Sequence, residues 1–268
     1  MVSSNFKYLQ TISAGTIAGG MFWLNSVSLV QALLIDSNSF LVSEETTGSS
    51  IWGGGGRTSQ QTNGSTHGPC DMNVSNQERM VALIPKRQNW ITTTDEHPTF
   101  WFYLPAKADE FASVKFVLHS LDRTQTPLYS KFLEPTEALP GVIQIKIPDT
   151  VPALETARSH EWLLILTCKE GTELPLRNTV TRVLPSPELT ADLRMASTPE
   201  AKSAAYFKHG IWLNALKVVG DRHSADLSNV PWKTQWKKLL EDEHVNLQRI
   251  VPGIADKPIV NCCRSTGE

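Results

Sequence analysis

The sequence predicts an α+β protein, in which an antiparallel β-sandwich of about seven strands is followed by a small α-helical region. Two observations support this prediction. From Met80 to Pro185 the chain consists of short apolar or alternating runs separated by turn residues. After Pro185 the apolar period changes from two residues to about 3.6. Because the strand-like runs come first and the helical runs second, we expect separate layers of strands and helices.

The strand region contains seven runs within roughly a hundred residues, which is the spacing of a sandwich domain. In the sixth run, strict alternation places His160, Trp162 and Cys168 on one core face. The segment before His160 has the form of the loop that enters the penultimate strand of an immunoglobulin-like fold, where a tyrosine often makes a corner hydrogen bond. We therefore interpret the sandwich as immunoglobulin-like and His160 as a hydrogen-bonded structural residue. The seven runs are MVALIP, PTFWFYLP, SVKFVLHSLD, LYSKFLEP, GVIQIKIP, HEWLLILTC and NTVTRVLP.

The helical region opens with a clear start signal. Thr198 stands at an N-cap position and is followed directly by proline and glutamate. Gly210 interrupts the helical run, and Tyr206, Gly210, Trp212 and Ala215 have the inner spacing of a tetratricopeptide-type helical hairpin. The sequence therefore predicts two antiparallel helices joined near Gly210.

A further helix is predicted in PWKTQWKKLLEDEHV, where Trp232, Trp236 and Leu239 share one face. The favoured interpretation is that this tryptophan stripe packs against the protein itself. The alternative is a surface for a helical partner formed by Tyr206, Trp212 and Trp236, which would require a large exposed apolar patch.

The N-terminus has the pattern of a signal peptide. No charged residue occurs between Lys7 and Asp36, and residues 12–30 are mostly apolar or small. Small residues at the recognition positions predict cleavage after Ala32; the alternative is an uncleaved membrane anchor. Residues 33–69 are rich in Ser, Thr and Gly and predict a flexible arm.

The four cysteines predict one disulfide, because thiols outside the cytoplasm tend to pair. Cys262 and Cys263 are adjacent, and neighbouring Cα atoms about 3.8 Å apart are too close for ordinary disulfide geometry. We therefore predict a bridge between Cys70 and Cys168 and leave the state of Cys262 and Cys263 open. A zinc site is the alternative use of these cysteines, but no C-x-x-C pair supports it.

The glycine run from Gly53 to Gly56 ends at Arg57. A phosphate-binding loop would need a preceding strand and a following helix with a lysine and a hydroxyl group, and none of these is present. A net charge of -2 likewise favours neither nucleic acid nor an anionic membrane as a ligand. We expect this protein to bind no nucleotide, no nucleic acid and no cofactor. We predict that residues 53–57 dock on the sandwich or on a partner.

The best candidate for chemistry is the loop that contains Asp95, Glu96 and His97, which could supply an acid, a base or a metal ligand. Three consecutive side chains do not easily converge on one atom, so a solvated turn is the favoured interpretation. These residues are weak catalytic candidates, and we expect no metal site.

The order of these segments resembles a known family. An exported leader, GGGGR, a cysteine before MVALIP, and the later PTFWFYLP, HEWLLILTC and GIWLNAL together resemble a cyanobacterial exported family, domain-of-unknown-function family 928. The resemblance runs from Gly53 to about Pro258 and implies a periplasmic setting in a Gram-negative envelope. It implies no catalytic residues, since the family has no assigned activity. His160 departs from the aromatic residue expected at the corner.

The expected function follows from these observations. We expect a periplasmic or secreted, non-enzymatic module that binds a protein or a component of the cell envelope, with membrane contact only if the leader is uncleaved. The alternative is a cell-wall glycan hydrolase, or its accessory subunit, that uses the loop of Asp95, Glu96 and His97. The expected segments are a signal peptide (1–32), an arm (33–69), a β-sandwich (70–185), a helical region (186–255) and a tail (256–268).

Overall fold

The computed structural model describes residues 70, 79–85, 90–105, 107–121, 127–135, 138–260 and 263–265. These residues form nine strands, four α-helices and two short 3₁₀ turns, which confirms the α+β class. The strands are β1 (Val81–Ala82), β2 (Trp90–Thr93), β3 (Thr99–Leu104), β4 (Phe111–Ser120), β5 (Pro127–Pro135), β6 (Gly141–Lys146), β7 (Ser159–Cys168), β8 (Glu173–Arg182) and β9 (Cys263–Ser265). The helices are α1 (Pro187–Met195), α2 (Pro199–Lys208), α3 (Trp212–Ala225) and α4 (Val230–Glu241), and the 3₁₀ turns are Leu247–Arg249 and Ile254–Asp256.

The strands belong to two sheets. One has the order β1-β3-β6, and the other has the order β2-β8-β7-β4-β5-β9. The expectation of a purely antiparallel arrangement is wrong at one edge, where β2 pairs with β8 in parallel and Ile91 lies opposite Val180. The apolar pattern of a strand says which face is buried but not which neighbour it pairs with or in which direction, so this pairing had no signal in the sequence.

The two sheets meet through aromatic side chains. Phe100 and Phe102 of β3 lie against Phe116 of β4 and Trp162 of β7, with ring centroids 5.2 Å apart for Phe100 and Phe116 and 5.3 Å apart for Phe102 and Trp162. The alternation predicted for β7 is present, because its even-numbered residues are buried while the odd-numbered ones are half-exposed. His160 is among the buried residues, with 2% of its surface exposed.

The predicted disulfide joins Cys70 to Cys168, with the two Cα atoms 5.5 Å apart. It attaches the chain N-terminal to β1 to the end of β7, across 98 residues of sequence. The leader, its cleavage site, the arm with its glycine run, and Cys262 lie outside the described residues, and so does the side chain of Cys263. None of the described helices is both long and apolar enough to span a membrane.

Helix α2 begins where its capping signal predicts. The Thr198 hydroxyl accepts a hydrogen bond from the Ala201 amide at 3.2 Å, and Pro199 occupies the first turn of α2. Gly210 adopts a positive φ of 72° between α2 and α3, a conformation that favours glycine. Helix α1 was not predicted, although Ser186 caps it in the same way.

The hydrophobic core is shared between the sheets and the helices. The indole nitrogen of Trp212 on α3 donates a hydrogen bond to the carbonyl of Leu83, beside β1, at 2.7 Å. Trp236 on α4 lies against Trp101 of β3, with ring centroids 5.5 Å apart. The boundary near residue 185 therefore separates strands β1 to β8 from the helices without separating two cores, and β9 follows the helices.

The hypothesis of a partner surface formed by Tyr206, Trp212 and Trp236 is wrong for both tryptophans. Each has 0% of its surface exposed, because α3 and α4 turn these side chains toward the sheets. Tyr206 is half-buried. The favoured interpretation, that the stripe packs against the protein itself, is confirmed for Trp236.

Candidate functional site

The loop between β2 and β3 holds the three residues predicted as weak catalytic candidates. Asp95 Oδ1 accepts a hydrogen bond from Asn214 Nδ2 at 2.8 Å, and the carboxylate of Glu96 pairs with the Arg182 guanidinium at 2.7 Å. His97 Nε2 donates to the backbone carbonyl of Val151 at 2.8 Å. The three side chains thus contact three different segments of the chain, and the loop does not bring them together around one point.

Asn214 on α3 is the centre of this arrangement, and no motif in the sequence pointed to it. Its side chain is buried, with 3% of the residue exposed. The amide oxygen accepts from the Thr93 hydroxyl and the Thr94 amide, each at 3.0 Å. The amide nitrogen donates to Thr94 Oγ1 and Asp95 Oδ1, each at 2.8 Å. Because an asparagine side chain has two acceptor sites and two donors, its hydrogen-bonding capacity is fully used.

The electrostatics of Asp95 reflect partial burial. Burial raises the pKa of the Asp95 carboxyl above its ordinary value, while the hydrogen bond from Asn214 and the positive charge of Lys217 act in the opposite direction. Lys217 is itself paired with Asp221 one turn further along α3. Asp95 is therefore a carboxylate that fastens α3 to the loop at some desolvation cost.

Arg182, at the end of β8, is a second residue to which no motif in the sequence pointed. One guanidinium nitrogen contacts Glu96, and another donates to the carbonyl of Leu154 at 2.9 Å. The Leu154 amide in turn donates to the Glu96 carbonyl at 3.0 Å. The arginine therefore ties the loop to the segment that leads into β7, and Glu96 is part of that connection.

The helical layer contains a cavity of about 180 Å³, which we call the helical groove. Helices α2 and α4 form its two sides, and Val219 of α3 lies at its base. The residues on α2 and on α4 recur at helical spacing, so each helix presents one face to the groove. From α2 these are Glu200, Ser203, Ala204, Phe207 and Lys208, and from α4 and the residue that caps its C-terminus they are Gln235, Lys238, Leu239 and Asp242.

The floor of the helical groove is held in place by packing. The Ser203 hydroxyl donates to the carbonyl of Ala215 at 2.9 Å, which ties α2 to α3. The ring of Phe207 meets Trp212 edge-on, with centroids 6.2 Å apart. Val219 is 2% exposed. The apolar floor is thus built on the buried core and has little freedom to collapse into the cavity.

The rim of the helical groove carries charges of both signs. The Lys208 ammonium pairs with Asp192 of α1 at 2.9 Å, and Asp242 Oδ1 accepts from the His244 backbone amide at 2.9 Å. Among the described residues, Lys238 has no ion-pair partner, and it is exposed. Lys238 is therefore a cation at the rim whose charge is not matched within the described part of the chain.

No group of three or more potential metal-ligating side chains occurs within the part of the chain that the structure describes. Asp95, Glu96 and His97, the cluster considered from the sequence, instead contact Asn214, Arg182 and Val151.

Fold and site define an α+β protein with two sheets and a helical layer over one core, and with a small half-open cavity between helices. The chain belongs to the family described as Domain of Unknown Function (DUF928), which matches residues 54–259, well over half of its length. This confirms the family resemblance drawn from the sequence motifs.

Three solved structures show limited similarity to this chain, at low sequence identity and low TM-score. The soluble domain of PmoD from Methylocystis sp. ATCC 49242 is 10% identical, with a TM-score of 0.27 over 40% of this chain and 94% of that chain. Murine CRIg is 11% identical, with a TM-score of 0.26 over 39% of this chain and 98% of that chain. Astrotactin-2 is 9% identical, with a TM-score of 0.25 over 66% of this chain and 34% of that chain. No curated protein sequence matches the chain significantly.

Proposed function

We propose that this protein is an exported, periplasmic, non-enzymatic binding or adaptor module, and that it recognises its partner through the helical groove. The observation that carries the proposal is the cavity itself. Its apolar lining consists of Ala204, Phe207, Val219 and Leu239 and its rim of charged residues, which is the composition of a recognition pocket.

The contacts of the acidic loop favour binding over hydrolysis. A glycoside hydrolase needs two carboxyl groups about 5 to 9 Å apart that face one cleft. Here Asp95 contacts Asn214 and Glu96 contacts Arg182, and both contacts fasten the loop to neighbouring segments. This use of the side chains makes the glycan hydrolase the weaker alternative.

The proposal extends to location and architecture. The uncharged stretch before Asp36 supports export with cleavage after Ala32, and the Cys70–Cys168 disulfide suits an oxidising compartment. We also propose that the two sheets form an immunoglobulin-like sandwich and that α2 and α3 form a tetratricopeptide-like hairpin. The aromatic contacts between sheets and the glycine between the helices support these assignments.

Export is tested by mass spectrometry of the protein isolated from the periplasmic fraction of a Gram-negative host. We expect an N-terminus at Leu33 and an intact bond between Cys70 and Cys168. Protein that remains in the cytoplasm, or that retains residues 1–32 in the soluble periplasm, contradicts the assignment.

Binding is tested with tagged, full-length protein crosslinked in living cells and recovered from the envelope. We expect one envelope protein to be identified reproducibly and to recover this chain in the reciprocal experiment. Purified peptidoglycan is incubated in parallel with the wild type and with Glu96→Gln. Release of soluble fragments by the wild type but not by Glu96→Gln would support the hydrolase and overturn the binding role.

A further inference from the structure

We propose that the helical groove receives an amphipathic helix of a protein partner, which inserts one large apolar side chain into the cavity and places an acidic residue beside Lys238. This inference rests on the proposed binding function and adds the chemistry of the occupant. It follows from the size of the cavity, the form of its walls and the charges at its rim.

The volume sets the scale of the inserted group. Pockets for drug-sized ligands occupy about 300 to 1,000 Å³, whereas the helical groove encloses about 180 Å³. An apolar cavity of about 150 Å³ accommodates one benzene ring. The space above Phe207 and Leu239 therefore suits one phenylalanine, leucine or methionine side chain.

The walls favour a helical occupant. Helices α2 and α3, and likewise α3 and α4, are packed neighbours joined by short connections of residues 209–211 and 226–229. Both α2 and α4 therefore pack against α3, and the residues that face each other across it line the groove. The lining of α2 from Glu200 to Lys208 extends roughly 12 Å at 1.5 Å per residue. The lining residues of α2 and α4 therefore match the length of a bound helix of about two turns, whose contacting side chains recur every three or four residues.

The charged residues at the rim of the groove indicate which residue of the incoming helix lies next to its apolar side chain. Lys208 is paired with Asp192, and Asp242 is engaged by His244, so both already have partners on this chain. The remaining carboxylate in the lining, Glu200, lies in the first turn of α2, at the opposite end of that helix from Lys208. Lys238 projects from the middle of the α4 wall and has no ion-pair partner among the described residues. A carboxylate on the incoming helix, three or four residues from its apolar anchor, would pair with this ammonium group at the rim.

The test is a selection from a displayed library of random fifteen-residue peptides on the full-length, disulfide-bonded protein. We expect the enriched peptides to combine one large apolar residue with Asp or Glu three or four positions away. Ala204 lines the cavity and is exposed, so Ala204→Trp fills the groove without entering the core. This variant is expected to weaken binding at least tenfold, whereas Ala191→Trp on the exposed face of α1 leaves it unchanged.

A charge reversal tests the position of the acid. Lys238→Glu should weaken binding several-fold, and a peptide whose acidic residue is replaced by lysine should recover it. The matched control is Lys237→Glu, on the same helix but outside the groove, which should have little effect. Melting temperatures within a degree or two of the wild type verify that the variants are folded.

Several outcomes overturn the inference. They are a failure to enrich any peptide, equal affinity for Ala204→Trp, and affinity that does not depend on the acidic residue. Self-association of the wild type that Ala204→Trp abolishes would assign the groove to a second copy of the chain instead. An envelope partner that is identified with the wild type and retained by Ala204→Trp refutes the groove but preserves the binding function. The absence of any envelope partner refutes the function itself.

Discussion

The acidic loop, which contains Asp95, Glu96 and His97, and the helical groove both carry charged side chains but use them differently. In the loop, Asp95 and Glu96 each contact a residue of another element of the same chain. In the groove, Lys238 faces outward beside an apolar cavity and has no ion-pair partner within the described residues. Charged residues therefore become candidates for recognition when the fold leaves their interactions incomplete, and not because they cluster in sequence.

Asn214 is expected to contribute most to stability, since it anchors the acidic loop to α3. Asn214→Ala removes four hydrogen bonds and leaves the Thr94 amide and the Asp95 carboxylate without their partner. We expect a loss of about 3 kcal/mol in the free energy of unfolding, because unsatisfied buried polar groups each cost about 1 to 3 kcal/mol. Urea denaturation measures the loss. Arg222→Ala, on the exposed face of the same helix, serves as control, and equal stability of both variants would show that the Asn214 network contributes nothing.

The position of α3 beneath the groove depends on Gly220. A Cβ atom at this position would lie 2.5 Å from Cζ2 of Trp101, which is fully packed. Gly220→Ala should therefore destabilise the protein by about 1 to 3 kcal/mol through overpacking, despite the better helix propensity of alanine. Thermal unfolding provides the measurement. A rise in melting temperature would mean that Trp101 can shift and that the floor of the groove is softer than its packing indicates.

The burial of Asp95 predicts that the stability of the protein depends on pH. Because burial raises the pKa of Asp95 in the folded state, its contribution to stability is fully present below the unfolded-state pKa and is lost as pH rises through the folded-state pKa. Asp95→Asn retains an oxygen that accepts from Asn214 but carries no charge. Relative to wild type, the variant should therefore gain stability as pH rises from about 4 to 7. A constant difference between the two unfolding curves would contradict the assigned desolvation.

The smallest changes in the free energy of unfolding are expected when one charged residue of the acidic loop or of the helical groove is replaced. Glu96→Gln should lower the free energy of unfolding by up to about 1 kcal/mol, because its ion pair with Arg182 is partly exposed. Lys238→Ala should change it by less than about 0.5 kcal/mol, since no ion pair is lost. Both are measured by chemical denaturation in low salt. If Lys238→Ala proved the more destabilising variant, its ammonium group would have a structural role and the contrast would fail.

Local signals account for the parts of the fold that were predicted. Alternation in β7 placed His160, Trp162 and Cys168 on the buried face, and the capping signal at Thr198 marked the start of α2. Helix α1 carries the same kind of signal at Ser186 and could have been found in this way. Strand β2 has four residues, WITT, whose residue types do not alternate between apolar and polar, so neither the strand nor its parallel pairing with β8 had a local signature.

The candidate site was less predictable, because its contacts join distant parts of the chain. Asp95 and Asn214 are separated by 119 residues and Glu96 and Arg182 by 86. The asparagine lies in the interior of α3, where its modest helix propensity indicates only that something beyond local structure retains it. The same limit explains why Trp212 and Trp236 were considered as partner-facing residues although both are buried.

The class of the fold, the strand-rich region ahead of the helices, the disulfide partners and the family could all be predicted from the sequence alone. These depend on apolar periodicity, capping residues and the spacing of cysteines, which act over a few residues or follow from composition. The folded chain was needed to see which sheet faces and helix faces meet, that Asp95 and Glu96 fasten the loop to other elements, and that α2 and α4 leave a cavity over α3. The physical reason is that these features depend on packing between elements, in which the apolar pattern specifies that a face is buried but not the surface that covers it.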